Sequence, residues 1–184
     1  MKDLTEKISS ILKALRREKA WSLEMASQKT GVSKAMLGQI ERGESSPTIA
    51  TLWKIASGFE VSFSYFLEDI HPVDSTLMHR SGGLQQIHVQ DDKIRVMPLF
   101  TYDKPLNFEV FIIELLPGCE HLSPPHQNGV IEHVIVASGT MEVLVNNTWH
   151  RLKQREGLRF KADNPHGYRN LTGVKAVFHD LIHY

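Results

Sequence analysis

The chain has 184 residues, with 21 Lys and Arg against 21 Asp and Glu, 41% hydrophobic and 23% charged residues, values ordinary for a globular protein of one large domain or two small ones. No apolar run approaches the roughly 20 residues that cross a bilayer, the N-terminal segment has no apolar leader-like core, and the lone Cys119 cannot close an intramolecular disulfide, so a reduced, cytoplasmic protein with no membrane partner is expected. The zero net charge hides an asymmetry: residues 1–58 hold 10 Lys and Arg against 6 Asp and Glu, residues 59–184 hold 11 against 15, and a mildly basic front suits a polyanionic partner.

In chain order, "TEKISSILKALRREKA" places Ile8, Ile11, Leu12 and Leu15 at helical spacing. Ser22 is an expected N-cap for a second helix, "LEMASQK", with Gly31 at its C′ position. Ser33 then caps a third, "SKAMLGQIER", ended by Gly43. "SSPTIATLWKIASG" predicts a fourth, with Pro47 near its start and Gly58 at its end, and "SFSYFL" a short fifth.

Residues 68–84 collect Pro, Asp, Ser and Gly, as in a linker between units 1–67 and 85–184. Beyond them the period becomes two: "KIRVMPLF", "NFEVFIIELLP", "EHVIVASG", "TMEVLVNN" and "VKAVFHDLIHY" read as strands, with turns at Ser138-Gly139 and Asn146-Asn147. Short strands with turns between them suggest an antiparallel sandwich or barrel.

"ASQKTGVSKAMLGQIERG" has the form of two helices joined by a tight glycine-containing turn. With Ala26, Gly31, Val32, Ser33, Leu37, Ile40, Glu41, Gly43, Pro47, Thr48, Leu52 and Ile55 it closely resembles the Cro/repressor-like (XRE) helix-turn-helix regulators over about residues 6–66. The resemblance implies double-stranded DNA as partner, with Lys34, Ala35 and Gln39 exposed toward base edges and Ser33, Arg42 and Ser46 toward phosphates. The alternative for this unit is a small helical bundle that docks protein.

The stretch "HLSPPHQNGVIEHVIVASG" gathers His126, Glu132 and His133 where a Pro-rich loop enters an apolar run. With Gly118, Gly139 and "EGLRFKADNPHGYRN", which carries Gly157, Pro165, His166 and Asn170, it resembles the cupin family over about residues 85–184. That implies an all-β jelly-roll barrel after the all-α bundle, and a metal set of His126, Glu132 and His166, with Asn128 standing where the family commonly has another histidine. Glu132 alternates with Val134 and Val136, so an inward carboxylate there needs a partner, and His133 faces the other way. Two imidazoles and one carboxylate suit Zn²⁺ first, then Fe²⁺ or Mn²⁺; the alternative is a metal-free pocket of hydrogen-bonded side chains. Asn128 is expected beside the ligands in an effector pocket, and so is His179, for which a satisfied core or rim histidine is the alternative.

The two resemblances in one chain look like a one-component transcription regulator with a small-molecule sensor, similar to short bacterial regulators of this architecture, those of sulfur utilisation among them. A homodimer is expected, because one helix-turn-helix covers only a half-site, and it is expected to be held mainly by the β unit, because the helices look committed to their own core while apolar faces such as "FEVFIIELL" offer surface for a symmetric contact. The rival is a cupin metalloenzyme, a dioxygenase or isomerase, with a DNA-binding appendage.

Overall fold

The computed structural model describes residues 2–67 and 93–184, so the linker expected at 68–84 lies outside the described residues. The chain divides into two compact units, Met1–Glu68 and Asp69–Tyr184.

The first unit holds α1 (Lys2–Glu18), α2 (Leu23–Thr30), α3 (Lys34–Glu41), α4 (Ile49–Phe59) and a 3₁₀ turn at Phe63–Phe66. Hydroxyl caps start three of the helices: Ser22 accepts from the Met25 amide, Ser33 from Met36 and Thr48 from Thr51. Gly31, at φ 65°, ends α2 in the left-handed conformation that glycine adopts most cheaply. The apolar faces close on one core, with Leu12, Leu37, Ile40, Leu52, Ile55, Phe59, Phe63 and Phe66 almost wholly buried. Arg16 forks onto Glu41 at 2.5 and 2.9 Å and ties α1 to the end of α3.

Gly58 does not end the fourth helix as expected. The helix runs on to Phe59, and Glu60 supplies the left-handed cap at φ 60°. Glycine is needed at 58 for packing instead: a Cβ there would meet the Thr30 Cα at 2.6 Å.

The second unit holds nine described strands, β1 (Ile94–Asp103), β2 (Phe108–Leu115), β3 (Cys119–Ser123), β4 (Ile131–Ser138), β5 (Thr140–Val145), β6 (Thr148–Lys153), β7 (Gly157–Lys161), β8 (His166–Asn170) and β9 (Ala176–His183). Asn146 and Asn147, both at positive φ, turn β5 into β6 as their sequence suggests. All pairings are antiparallel, in a five-stranded sheet ordered β1-β2-β9-β4-β7 and a four-stranded sheet ordered β3-β8-β5-β6. No ladder joins the two among the described residues, so the expected barrel is a two-sheet sandwich here rather than a closed ring. The sheets meet through inward side chains such as Tyr168 and Phe178, whose rings lie 5.2 Å apart.

Period two decides what faces inward. On β2, Glu109, Phe111, Ile113 and Leu115 are buried; on β9, Ala176, Phe178, Asp180 and Ile182 are. The core is thus apolar toward one end of the strands, apart from Asn170, which bonds the Leu115 carbonyl, and toward the other it carries buried polar groups: Glu109, His121, Ser123, His126, Glu132, His166 and Asp180.

Candidate nucleic-acid interface and candidate metal centre

In the helical unit, Leu37 and Ile40 point α3 into the core, which leaves Lys34, Ala35 and Gln39 exposed on its outer side. Ser33 is exposed but its hydroxyl oxygen is engaged as the α3 cap. Two of the expected contact cations already have acidic neighbours. Lys34 Nζ lies 3.3 Å from Glu24, and Arg42 holds Glu44 at 2.6 and 2.8 Å. Exposed pairs of this kind are weak and yield readily to a stronger anion. Ser46 is half-buried and its hydroxyl lies 2.6 Å from that of Thr5 on α1.

In the β unit, the three residues expected as ligands converge from three places. His126 sits in the loop after β3, with its amide bonded to the Ala162 carbonyl. Glu132 is the second residue of β4, and His166 opens β8. His126 Nε2 lies 2.7 Å and His166 Nε2 3.3 Å from the same Glu132 oxygen, Oε1, and all three are buried. The ligand atoms of the three residues lie within 4.8 Å of one another. Nitrogen and oxygen ligands around a tetrahedral cation at 2.0–2.2 Å stand about 3–3.5 Å apart, so a small divalent ion fits between them with modest adjustment.

The hydrogen bonds around this cluster orient it. His166 Nδ1 donates to the Asn164 carbonyl at 2.9 Å, since a carbonyl only accepts. In a neutral imidazole this leaves Nε2 with a bare lone pair, and Nε2 indeed makes no hydrogen bond despite its nearness to the carboxylate. A lone pair facing a carboxylate oxygen calls for a cation, either a proton on Nε2 or a metal ion between the two. Tyr168 donates its hydroxyl to the other oxygen, Glu132 Oε2, so Oε1 alone is left for both imidazoles. Burial works against charge on Glu132 and on His166. Their mutual attraction, with His126 adding to it, still holds the carboxyl below its usual range and raises the His166 imidazole above its usual value.

Two expected pocket residues are not brought into this cluster. Asn128 is exposed in the tight polar turn before β4, where Gly129 takes φ 96°. His179 pairs with Ile112 and with the exposed Ile135 on the outer face of the five-stranded sheet, because strand alternation turns it away from Phe178 and Asp180. His133 is likewise turned away from Glu132, as expected.

Sequence reasoning missed Tyr168, Asp180, Glu109 and His121, all of them inside. For three of them the register of a neighbour carries the signal. Tyr168 lies two residues after His166, Asp180 two before the apolar Ile182, and Glu109 two before Phe111, so period two puts each on an inner face. His121 pairs with Tyr168, and Ser123 with His166, on a strand that was not anticipated.

A helix-turn-helix family profile matches residues 12–66 and a cupin domain profile matches residues 111–182. The chain is 47% identical over 184 residues to the HTH-type transcriptional regulator SutR of Escherichia coli (strain K12), which covers 100% of this chain and 98% of that one. It is also similar to the crystal structure of an HTH_3 family transcriptional regulator from Vibrio cholerae, with a TM-score of 0.86 and 46% identity over 100% of this chain and 98% of that one. Over 74 residues, 40% of the chain, it is 34% identical to the HTH-type regulator y4dJ of Sinorhizobium fredii, of which it covers 92%.

Proposed function

The chain belongs to the HTH-type transcriptional regulators that join a helix-turn-helix to a cupin domain, and from that premise we propose that the cupin unit holds a divalent cation and, beside it, a small-molecule effector that changes DNA affinity. DNA binding falls to the helical unit. Lys34, Ala35 and Gln39, exposed on α3, read base edges. Arg42 and Ser33 meet phosphates, and Ser46 steadies α1 against the turn.

The observation that carries the metal reading is the bare His166 Nε2 facing Glu132 Oε1 in a buried cluster with His126. Zn²⁺ suits the donor set best, followed by Fe²⁺ or Mn²⁺. When bound, such an ion would offer an effector an open coordination position. The chain's own residues do the rest: His126 and His166 present their Nε2 atoms, Tyr168 holds Glu132 to a single free oxygen, and Asn164 fixes the His166 tautomer. The interior groups Tyr168, His121 and Ser123 line the effector space, in place of Asn128 and His179.

The active form is a homodimer on a nearly palindromic operator with half-sites about one helical turn apart. Val110, Ile112, Ile135 and Leu181 share the outer face of the five-stranded sheet and supply an apolar, self-complementary contact. Sedimentation of the full chain tests this, and a monomer at tens of micromolar would overturn it.

The deciding experiment for the sensor is metal analysis of the purified full chain, followed by operator binding with and without chelator. The expected result is about one ion per chain, lost in Glu132→Gln and His166→Ala while basal DNA binding survives. Full occupancy in both variants would refute the ligand set.

A further inference from the structure

The metal triad leaves part of the polar interior unused. Glu109 on β2 and Glu132 on β4 both face Ile182 of the strand between them, and Asp180 lies two residues along that same strand on the same inner face. The three carboxylates are 0%, 1% and 3% exposed. Glu132 has Tyr168 and the two histidines, and Glu109 accepts from the Tyr184 hydroxyl. Asp180 Oδ1 is buried with no hydrogen-bond partner among the described residues. Among the described residues no lysine or arginine forms an ion pair with Asp180. Burial, and then the charges of Glu132 and Glu109, push the Asp180 carboxyl well above its usual range, so the three groups feel one another.

A buried carboxyl without a partner is a standing cost, and native cores seldom keep one. A divalent ion on the triad would not remove it, since His126, Glu132 and His166 would be the groups that hold that ion. What the arrangement lacks is a compact donor of positive charge deeper along β9.

We propose that Asp180 and Glu109 form a cation subsite beside the metal triad, and that the effector is a small molecule carrying a positively charged nitrogen, an ammonium or a guanidinium, seated there. The proposal rests on the reading of the cupin unit as an effector-binding unit. The nitrogen donates to Asp180 Oδ1 and to the Glu109 carboxylate, while the rest of the molecule reaches toward the triad. An aliphatic acid or a neutral polyol offers no such charge and leaves Asp180 unsatisfied.

The test uses the full chain loaded with zinc and reads its thermal unfolding. The probes are the standard L-amino acids, methylammonium and guanidinium, each amino acid being set against the carboxylic acid that lacks its amino group. The expected result is a rise in melting temperature with at least one amine and none with its amine-free counterpart. In Asp180→Asn the affinity for that amine should fall roughly thirtyfold or more, while the unliganded protein melts no lower than wild type. Glu109→Gln, which keeps an acceptor for Tyr184, serves as the second variant and should also weaken the amine. If the amine-free acids bind as well as the amines, the subsite is refuted and the effector reading survives. If amines bind Asp180→Asn and Glu109→Gln as tightly as wild type, the subsite is refuted also. A second equivalent of zinc that is lost in Asp180→Asn would overturn the proposal in favour of a second metal site. Failure of every probe to bind would end it, and the effector reading would then stand or fall on the DNA-binding response to chelator.

Discussion

Tyr168→Phe isolates one hydrogen bond at the candidate metal centre. The phenol ring is held by packing, 5.2 Å from Phe178 and 6.0 Å from His166, and none of that changes when only the hydroxyl is removed. What is lost is the donor to Glu132 Oε2, in a place where the carboxylate is 1% exposed. Leaving one buried acceptor unsatisfied costs about 1–3 kcal/mol, and loss of a partner that orients a ligand typically weakens metal binding about 10–100-fold. The two estimates agree, since 1.4 kcal/mol is about tenfold. Zinc affinity, measured by competition with a chromophoric chelator on the full chain, should therefore fall about 10–100-fold. Binding of operator DNA by the metal-free protein should not change. A zinc affinity within twofold of wild type would show that Glu132 is not a ligand, or that its second oxygen does not need Tyr168.

Gln39→Ala should cost about 1–3 kcal/mol at the cognate operator and relax base preference at one position; an equal loss on random DNA, read by fluorescence anisotropy, would contradict the base-reading role. Gly58→Ala gains about 1 kcal/mol of helix propensity but forces a Cβ to 2.6 Å from the Thr30 backbone, and overpacking of that kind costs about 1–3 kcal/mol. Urea unfolding should show a net loss for that variant, and a gain would mean that α2 and α4 separate freely. The pH response of the chelated protein follows from His166, whose folded pKa is raised above 6.5. A raised cationic group stabilises fully below its unfolded pKa, and this stabilisation fades as pH climbs through the folded value. The chelated protein should thus lose melting temperature as pH rises from about 6.5 upward, while the gain from added zinc grows, because the metal takes the neutral imidazole. A flat chelated profile would separate His166 from Glu132.

What the sequence made legible depends on how each element is stabilised. Ser22, Ser33 and Thr48 cap helices through their own side chains, so the signals are local, and Gly31 likewise. Gly58 misled because its reason is a neighbour 28 positions away. β6 and β7 were unreadable because "TWHRLK" and "GLRFK" bury few side chains, and a strand that buries little shows little alternation. β8 was hidden for the opposite cause: four of the five residues of "HGYRN" are buried, with polar groups among them. The triad residues stood out as chemistry-bearing types in motifs. Glu109 and Asp180 did not, because an acid inside an apolar run reads as the outward member of the alternation until the register of its neighbours is known.

The wiring of Glu132 bears on sensor against enzyme. A general base needs a lone pair within reach of a substrate proton. Here one carboxylate oxygen is committed to Tyr168 and the other is shared by His126 and His166, while His166 Nδ1 is spent on a backbone carbonyl. Within the triad these groups could together hold an ion, while Asp180, whose Oδ1 has no hydrogen-bond partner among the described residues, lies outside that set. A held ligand is what regulation requires: it changes DNA affinity only through a difference in its affinity for two states of the protein, and a coupling of about 1–3 kcal/mol is typical. A buried polar interior that is costly when empty and satisfied when filled can supply a difference of that size, because an unsatisfied buried group alone costs about 1–3 kcal/mol.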